Sequence, residues 1–193
     1  MNIIAAVCKN RGIGFQNQLP WKLKNEMQYF KKLTIGNGNN AVVMGKNTWL
    51  SLNNRPLKNR DNIIVSNTMN SSIEFENSYV LNNGEYSEAN VFEWTTQFNY
   101  NKIWIIGGEC IYNRFIYSDY VDKIYLTEID KDYQCDTFFP EIPDNFKEID
   151  KTQYFEENGI KYNFKIYKNK NYKKLYYNDN IDIAAQTWTQ KWQ

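Results

Sequence analysis

The sequence predicts an α/β fold: a mixed, mostly parallel central sheet with flanking helices, closed by a C-terminal antiparallel hairpin. Three observations predict it. Short apolar runs of strand length alternate with segments whose apolar residues recur at helical spacing. Three of these runs end in small or polar residues, and two of those ends pass directly into a helix. Near the C-terminus, alternating apolar and polar residues surround Asn158-Gly159, a dipeptide that favours a type I′ hairpin turn.

The elements follow in order. NIIAAVC (2–8) has the length of a buried strand, and a long loop containing Gly, Asn and Gln follows it. From about Leu23 the spacing predicts a helix, with Leu23, Met27, Phe30 and Leu33 on one apolar stripe. GNGNN (36–40) is a turn, AVVM (41–44) a second strand, and GKNTWLSL the start of a short helix. DNIIVSN (61–67) carries a third strand and YSEANVFEWTTQF (86–98) a helix. KIWII (102–106) is a fourth strand, followed by Gly-Gly and a helix through about Tyr117. VDKIYLTEI (121–129) is a fifth strand, and YFEENGIKYNFKIY (154–167) is the hairpin.

Composition narrows the chemistry. A chain of 193 residues suits one domain with a substantial core. The 23 Lys and Arg against 22 Asp and Glu are scattered, so nothing points to a nucleic-acid or membrane partner. Mean hydropathy is low at −0.70, yet 11 Phe, 15 Tyr and 6 Trp can build an interior. Three cysteines in no metal-like spacing fit reduced thiols in a cytoplasmic setting. The N-terminal apolar run is too short and lacks the basic flank of a signal peptide, and no window reaches membrane-spanning length. Histidine is absent, which excludes Ser-His and Cys-His catalysis and leaves acid–base work to a carboxylate, Tyr, Lys or water.

Residues 1–168 read as one domain and 169–193 as an extension of different composition. In the extension Ile181, Ala184, Ala185, Trp188 and Trp192 are roughly helically spaced. Docking on the body, self-association of an otherwise monomeric chain, and partial disorder are all compatible with it.

The chemistry is expected at the strand ends. AVVM is followed by Gly45-Lys46-Asn47-Thr48, IIV by Ser66-Asn67, and WII by Gly107-Gly108-Glu109. In open α/β sheets ligands bind at the carboxyl ends of strands, where unpaired helix N–H groups attract anions. Lys46 adds positive charge, so together these suggest a phosphate-bearing cofactor, although a Gly-Gly at a strand–helix junction is by itself more often plain turn chemistry. Neither the P-loop spacing nor G-x-G-x-x-G is present. On the first helix, at about 100° per residue, Glu26 projects inside the apolar arc. A first-turn carboxylate is favoured by the helix dipole on its own account. If the arc lines a cleft, burial raises the pKa of Glu26 toward neutrality, as a proton donor requires. Thr127, in an otherwise apolar strand, needs a partner that such a carboxylate can supply.

The ordered set GIG…LPW…NE..YF, VVMGKNTW, RPLKNR, WIIGGECIY, YLTEI and DTFFPEI resembles dihydrofolate reductase from about Ile3 to Tyr167. The resemblance implies a dihydrofolate reductase-like fold and NADPH-dependent reduction of 7,8-dihydrofolate to tetrahydrofolate. It implies that Glu26 holds the pterin and assists protonation through water, supported by Thr127, with Trp21 holding an ordered water. Ile4, Ala5 and Ile106 would border the pterin, and Met27, Phe30, Leu52 and Leu57 would form an apolar wall. Arg60 would clasp the glutamate α-carboxylate. Ala6, Ile13, Gly14 and Leu19 would frame the nicotinamide under a mobile 9–20 loop. Gly45, Lys46, Asn47, Thr48, Ser66, Asn67, Gly107, Gly108, Glu109, Cys110, Ile111 and Tyr112 would meet the rest of the cofactor, with Gly107-Gly108 matching a cis-linked pair. Two departures stand out. Asn67 replaces a basic residue common near the 2′-phosphate, and Glu109 brings negative charge beside the pyrophosphate unless it turns to solvent. A related pyrimidine reductase fits less well, having no use for Arg60. The non-enzymatic alternative is a structural component of a larger assembly that docks through the extension.

Overall fold

The structure, a computed structural model, describes residues 1–53, 55–69, 76–81 and 88–173. In chain order its elements are β1 (Asn2–Val7), β2 (Gly12–Gly14), α1 (Lys24–Ile35), β3 (Asn40–Gly45), α2 (Lys46–Ser51), β4 (Asp61–Val65), β5 (Ser78–Leu81) and α3 (Glu88–Thr96). Then come β6 (Lys102–Gly107), α4 (Glu109–Phe115), β7 (Lys123–Ile129), β8 (Thr137–Phe138), β9 (Phe146–Lys151), β10 (Phe155–Glu157) and β11 (Ile160–Asn169).

The apolar runs become the inner strands because helices cover both faces, so consecutive residues are buried rather than alternate ones. All of Asn40 to Met44 in β3 is buried, as is all of Asn62 to Val65 in β4. The strand order is β10-β11-β7-β1-β6-β3-β4-β5, with β9 also paired to β11. From β7 to β5 the pairs are parallel, and β9, β10 and β11 are antiparallel. The fold is thus the mixed, mostly parallel sheet predicted.

One apolar cluster includes Ile3, Val43, Ile63, Ile105, Phe115 and Ile124. A second holds Ile4, Val42, Met44, Trp49, Ile64 and Trp104. A third, of Trp21, Leu23, Ile129, Tyr162 and Phe164, receives Tyr29 of α1. There Tyr29 stacks on Phe164 with ring centroids 3.8 Å apart. Each fully buried Ile or Phe contributes about 1.5–3 kcal/mol.

The hairpin turns as expected: Asn158 has φ 55° and Gly159 φ 70°, the two positive values a type I′ turn requires. Four short or exposed strands were not legible. β5 has four residues and β8 two, too few for periodicity to register. β9 buries only Phe146, so its sequence reads as a polar surface. β2 lies within the predicted 9–20 loop and pairs antiparallel with β8. The helix predicted through Tyr117 ends at Phe115.

β11 runs to Asn169, whose side chain donates to the Val121 carbonyl at 2.8 Å. Lys173 pairs with Asp119 at 2.8 Å, so the chain is still packed on the body at that point. The expected helical spacing of Ile181 to Trp192 lies outside the described residues. Among the described residues, no helix is long and apolar enough to cross a membrane.

Candidate active site

The site begins where two neighbouring strands part. β1 and β6 are in register only at Asn2–Trp104 and Ile3–Ile105. Beyond that point β1 stays with β7 as far as Val7, and β6 stays with β3. The β3–β6 register also slips there: Val43 faces Ile105 and Met44 faces Gly107, leaving Ile106 as the extra residue. A crevice therefore opens at Ile4 and Ile106, at the topological switch point where ligands bind in such sheets. The Tyr112 hydroxyl reaches across and donates to the Ile4 carbonyl at 2.8 Å. Tyr112 is thus a strut of the crevice as well as a packing residue.

Bare backbone forms one side of this crevice. Gly107 and Gly108 are joined by a cis peptide, and Gly107 has φ 106°. A Cβ on Gly107 would lie 2.7 Å from the Tyr112 ring. A Cβ on Gly108 would lie 3.3 Å from Thr48 Oγ1, and one on Gly45 3.1 Å from Ile111. Only glycine lets the starts of α2 and α4 come this close. Lys46 donates to Thr68 Oγ1 at 2.8 Å, and Ser66 Oγ accepts the Thr68 and Met69 N–H groups at 3.2 Å. Asn47, Asn67 and Cys110 are exposed. These residues fit an extended, phosphate-bearing cofactor: polar groups and bare amides at three adjacent strand ends.

Glu109 corrects one expectation. It is half-buried rather than turned to solvent, and its Oε2 accepts the Phe138 N–H at 3.2 Å. Its carboxylate is engaged with β8. Gly14 and Leu19 sit on the facing loop, where Asp136 accepts the Gln16 N–H at 2.8 Å and donates its own N–H to Gly14.

Helix α1 supplies the acid. Leu23 is its N-cap and contributes no side-chain cap. The cap comes from the hairpin: Glu157 accepts the Lys24 N–H at 2.6 Å and the Asn25 N–H at 3.0 Å. A carboxylate there satisfies two orphan donors and complements the helix dipole. Sequence reasoning missed it, because the capping residue lies over 130 positions away. Glu157→Ala is expected to cost about 0.5–2 kcal/mol of stability, as other cap losses do. Urea unfolding at neutral pH checks this.

Glu26, three residues past the N-cap, is buried, and Thr127 Oγ1 donates to its Oε1 at 3.3 Å. Desolvation is the largest influence and pushes the Glu26 carboxyl up to about 7. The Thr127 hydrogen bond opposes this, and the charge of Glu157 adds to it. Thr127→Val should therefore move the Glu26 titration to still higher pH, readable as a shift in the pH profile of turnover. Trp21 is buried with Leu23 beneath α1, and its Nε1 has no partner among the described residues. Such an orphaned donor suits an ordered water or ligand atom.

The apolar arc of α1 is only partly buried: Leu23 lies in the Trp21 cluster, but the rest is more open. Met27 is 47% exposed, as is Leu19, while Phe30 and Leu33 are half-buried. The arc is open at Met27, and its carboxylate lies against the Thr127 hydroxyl of β7. Phe30, Leu52, Leu57 and Ile106 pack on the same cluster as Ile4, so most of the predicted wall is one surface. Ala6 joins the Trp21 cluster, while Ala5, Ile13 and Ile111 belong to the cluster of the other face.

Arg60 ends the wall. It is buried, with Nη1 donating to Thr34 Oγ1, Nε donating to Lys58 O at 3.1 Å, and Cζ 5.9 Å from the Phe30 ring centroid. Among the described residues no carboxylate pairs with it. A buried guanidinium without a counter-ion is costly unless an anion joins it. Two residues missed in the sequence hold it. Thr34 lies two turns along α1 from Glu26. Buried Asn62 staples the loop, accepting Leu57 N–H at 2.9 Å and donating to the Leu57 and Arg60 carbonyls at 3.1 and 3.0 Å. A polar residue inside the Ile-Ile-Val strand was the available signal.

The family model described as dihydrofolate reductase matches residues 1–169. The dihydrofolate reductase of Drosophila melanogaster is 37% identical over 176 residues, covering 86% of this chain and 95% of that protein. That of Gallus gallus is 35% identical over 182 residues, covering 86% and 95%. The bifunctional dihydrofolate reductase-thymidylate synthase of Paramecium tetraurelia is 35% identical over 177 residues, covering 88% of this chain and 35% of that protein. With its parted strands, glycine-lined strand ends and buried acid, this chain belongs to the dihydrofolate reductase family.

Proposed function

We propose that the chain reduces 7,8-dihydrofolate to 5,6,7,8-tetrahydrofolate with NADPH. The observation that carries this is Glu26, a carboxyl held near neutrality by burial against Thr127 of β7. Such a group is protonated often enough at pH 7 to deliver a proton and ionised often enough to take one back. In its charged form it makes a strong, low-dielectric pair with the pterin amino group and ring nitrogen. Thr127 fixes its orientation. The unpartnered Trp21 Nε1 suits the water that relays the proton to N5. Arg60, at the far end of the Phe30–Leu52–Leu57 wall, takes the glutamate carboxylate.

NADPH, when bound, supplies the hydride. Gly45, Lys46, Asn47, Thr48, Ser66, Asn67 and the Gly107–Tyr112 segment would hold its phosphates and adenosine. Ala6, Ile13, Gly14 and Leu19 would hold the nicotinamide beside the pterin. The 9–20 loop excludes water there, anchored through β2 and β8. The catalytic body is monomeric in this reading, and self-association is the role proposed for the extension that begins at 169. Three free thiols support work in a reducing cytoplasm.

The test is NADPH oxidation by the purified chain with dihydrofolate, and NADH in parallel. Rapid, methotrexate-sensitive oxidation of NADPH supports the reading. Absence of turnover from folded, NADPH-binding protein overturns it and favours a structural role.

A further inference from the structure

Cys8 and Cys135 are 127 positions apart, yet their Sγ atoms are 3.8 Å apart. Cys8 follows β1 and is buried; Cys135 precedes β8 and is partly exposed. Both are free thiols. The space they share exists because residue 12 is glycine. A Cβ there would lie 2.3 Å from the Cys135 sulfur and 2.9 Å from that of Cys8. Asn10 Oδ1 accepts both the Cys8 thiol at 2.8 Å and the Gly12 N–H at 3.1 Å, which holds the first sulfur in place. Backbone bonds flank the pair: Cys8 N–H to Gly12 O at 3.0 Å and Asp136 N–H to Gly14 O at 3.0 Å. The two chain segments are therefore already docked. Bonding requires the sulfurs to close to about 2.05 Å, a movement within reach of side-chain rotation and a small loop adjustment.

We propose that Cys8 and Cys135 form an intramolecular disulfide by exchange with a low-molecular-weight disulfide, and that this bond locks the base of the 9–20 loop onto the 130–139 loop. The more accessible Cys135 gives its proton to solvent, and its thiolate attacks one sulfur of the reagent. The reagent S–S bond breaks, releasing one reagent thiol and leaving a mixed disulfide on Cys135. Cys8 loses its proton and attacks the Cys135 sulfur, expelling the second reagent thiol. The two protein thiols are oxidised by two electrons, and the reagent disulfide is reduced to two thiols. Burial and the neighbouring Cys8 push the Cys135 thiol up to about 11, so thiolate is scarce at neutral pH and the exchange is slow. Cys110 is exposed, and neither other cysteine contacts it, so it has no route to an intramolecular bond.

The experiment incubates the full chain with oxidised glutathione for hours and caps remaining thiols with N-ethylmaleimide. The products are mapped by non-reducing proteolysis and mass spectrometry. The expected result is a peptide linking Cys8 to Cys135, with Cys110 capped or glutathionylated. Cys8 recovered capped, with Cys135 either capped or glutathionylated, overturns the bond. The consequence of the lock rests on the reductase reading. Turnover of the oxidised chain should fall several-fold and return with dithiothreitol; unchanged turnover at full linkage overturns the lock. Absence of turnover before oxidation would indict the reductase reading alone, since the linked peptide is scored independently of activity.

Discussion

Glu26→Gln is expected to slow hydride transfer at pH 7 by about 10²–10⁴-fold, the usual worth of a positioned acid. The deficit should shrink as pH falls. The wild-type carboxyl, pushed to about 7 by burial, is largely protonated below that pH and largely ionised above it. Its rate profile should therefore break near neutrality. The amide cannot titrate, so the variant depends on dihydrofolate protonated directly from solvent, which acid favours. Single-turnover rates from pH 5 to 9 check this, and a constant ratio of variant to wild type would remove Glu26 from the proton path. The same substitution has an opposite effect on stability. An unfolded Glu titrates near 4.5 and the folded one near 7, so between those values the folded state binds more protons. Stability then falls as pH rises through that window, by roughly 3 kcal/mol in all. Glu26→Gln removes that loss, so its gain in melting temperature should be larger at pH 8 than at pH 5.

The second large effect is expected at Arg60. Arg60→Leu should weaken dihydrofolate and methotrexate by about 2–5 kcal/mol, the range for truncating one partner of a buried charge pair. Inhibitors without a glutamate carboxylate, such as trimethoprim, should lose far less. The reason is local: Arg60 is buried, already held by Thr34 and Lys58, and has no acidic partner among the described residues. Equilibrium titration of both inhibitor types separates the outcomes, and equal losses would sink the carboxylate role.

Much of the inner sheet was legible, since buried parallel strands such as Ala41–Met44 and Ile63–Val65 write themselves as unbroken apolar runs. Glu26 was legible for the converse reason, as a charge where the pattern called for an apolar residue. The motif set added Arg60, whose residue type alone reads as surface. What stayed hidden depended on distant partners. Glu157 caps α1 from the hairpin, Thr34 and Asn62 hold Arg60, and the strands β5, β8 and β9 are too short or too exposed to carry a period. The exposure of Met27 was not legible either, because helical spacing reports a shared face, and not whether protein or open space lies against it.

The position of β1 bears on how the chain is made. Residues 2–7 leave the ribosome well before the residues that pair with them, 104–105 and 123–128. The acid's helix waits longer, for Glu157 to cap it and Phe164 to stack beneath it. A nascent chain cannot complete the acid's helix until Glu157 and Phe164, close to the end of the body, have been synthesised. Such distant pairings make folding slow and leave apolar strands uncovered meanwhile. Chains stalled before the hairpin should be protease-sensitive and unable to bind folate, although every residue of the pterin pocket has already been translated.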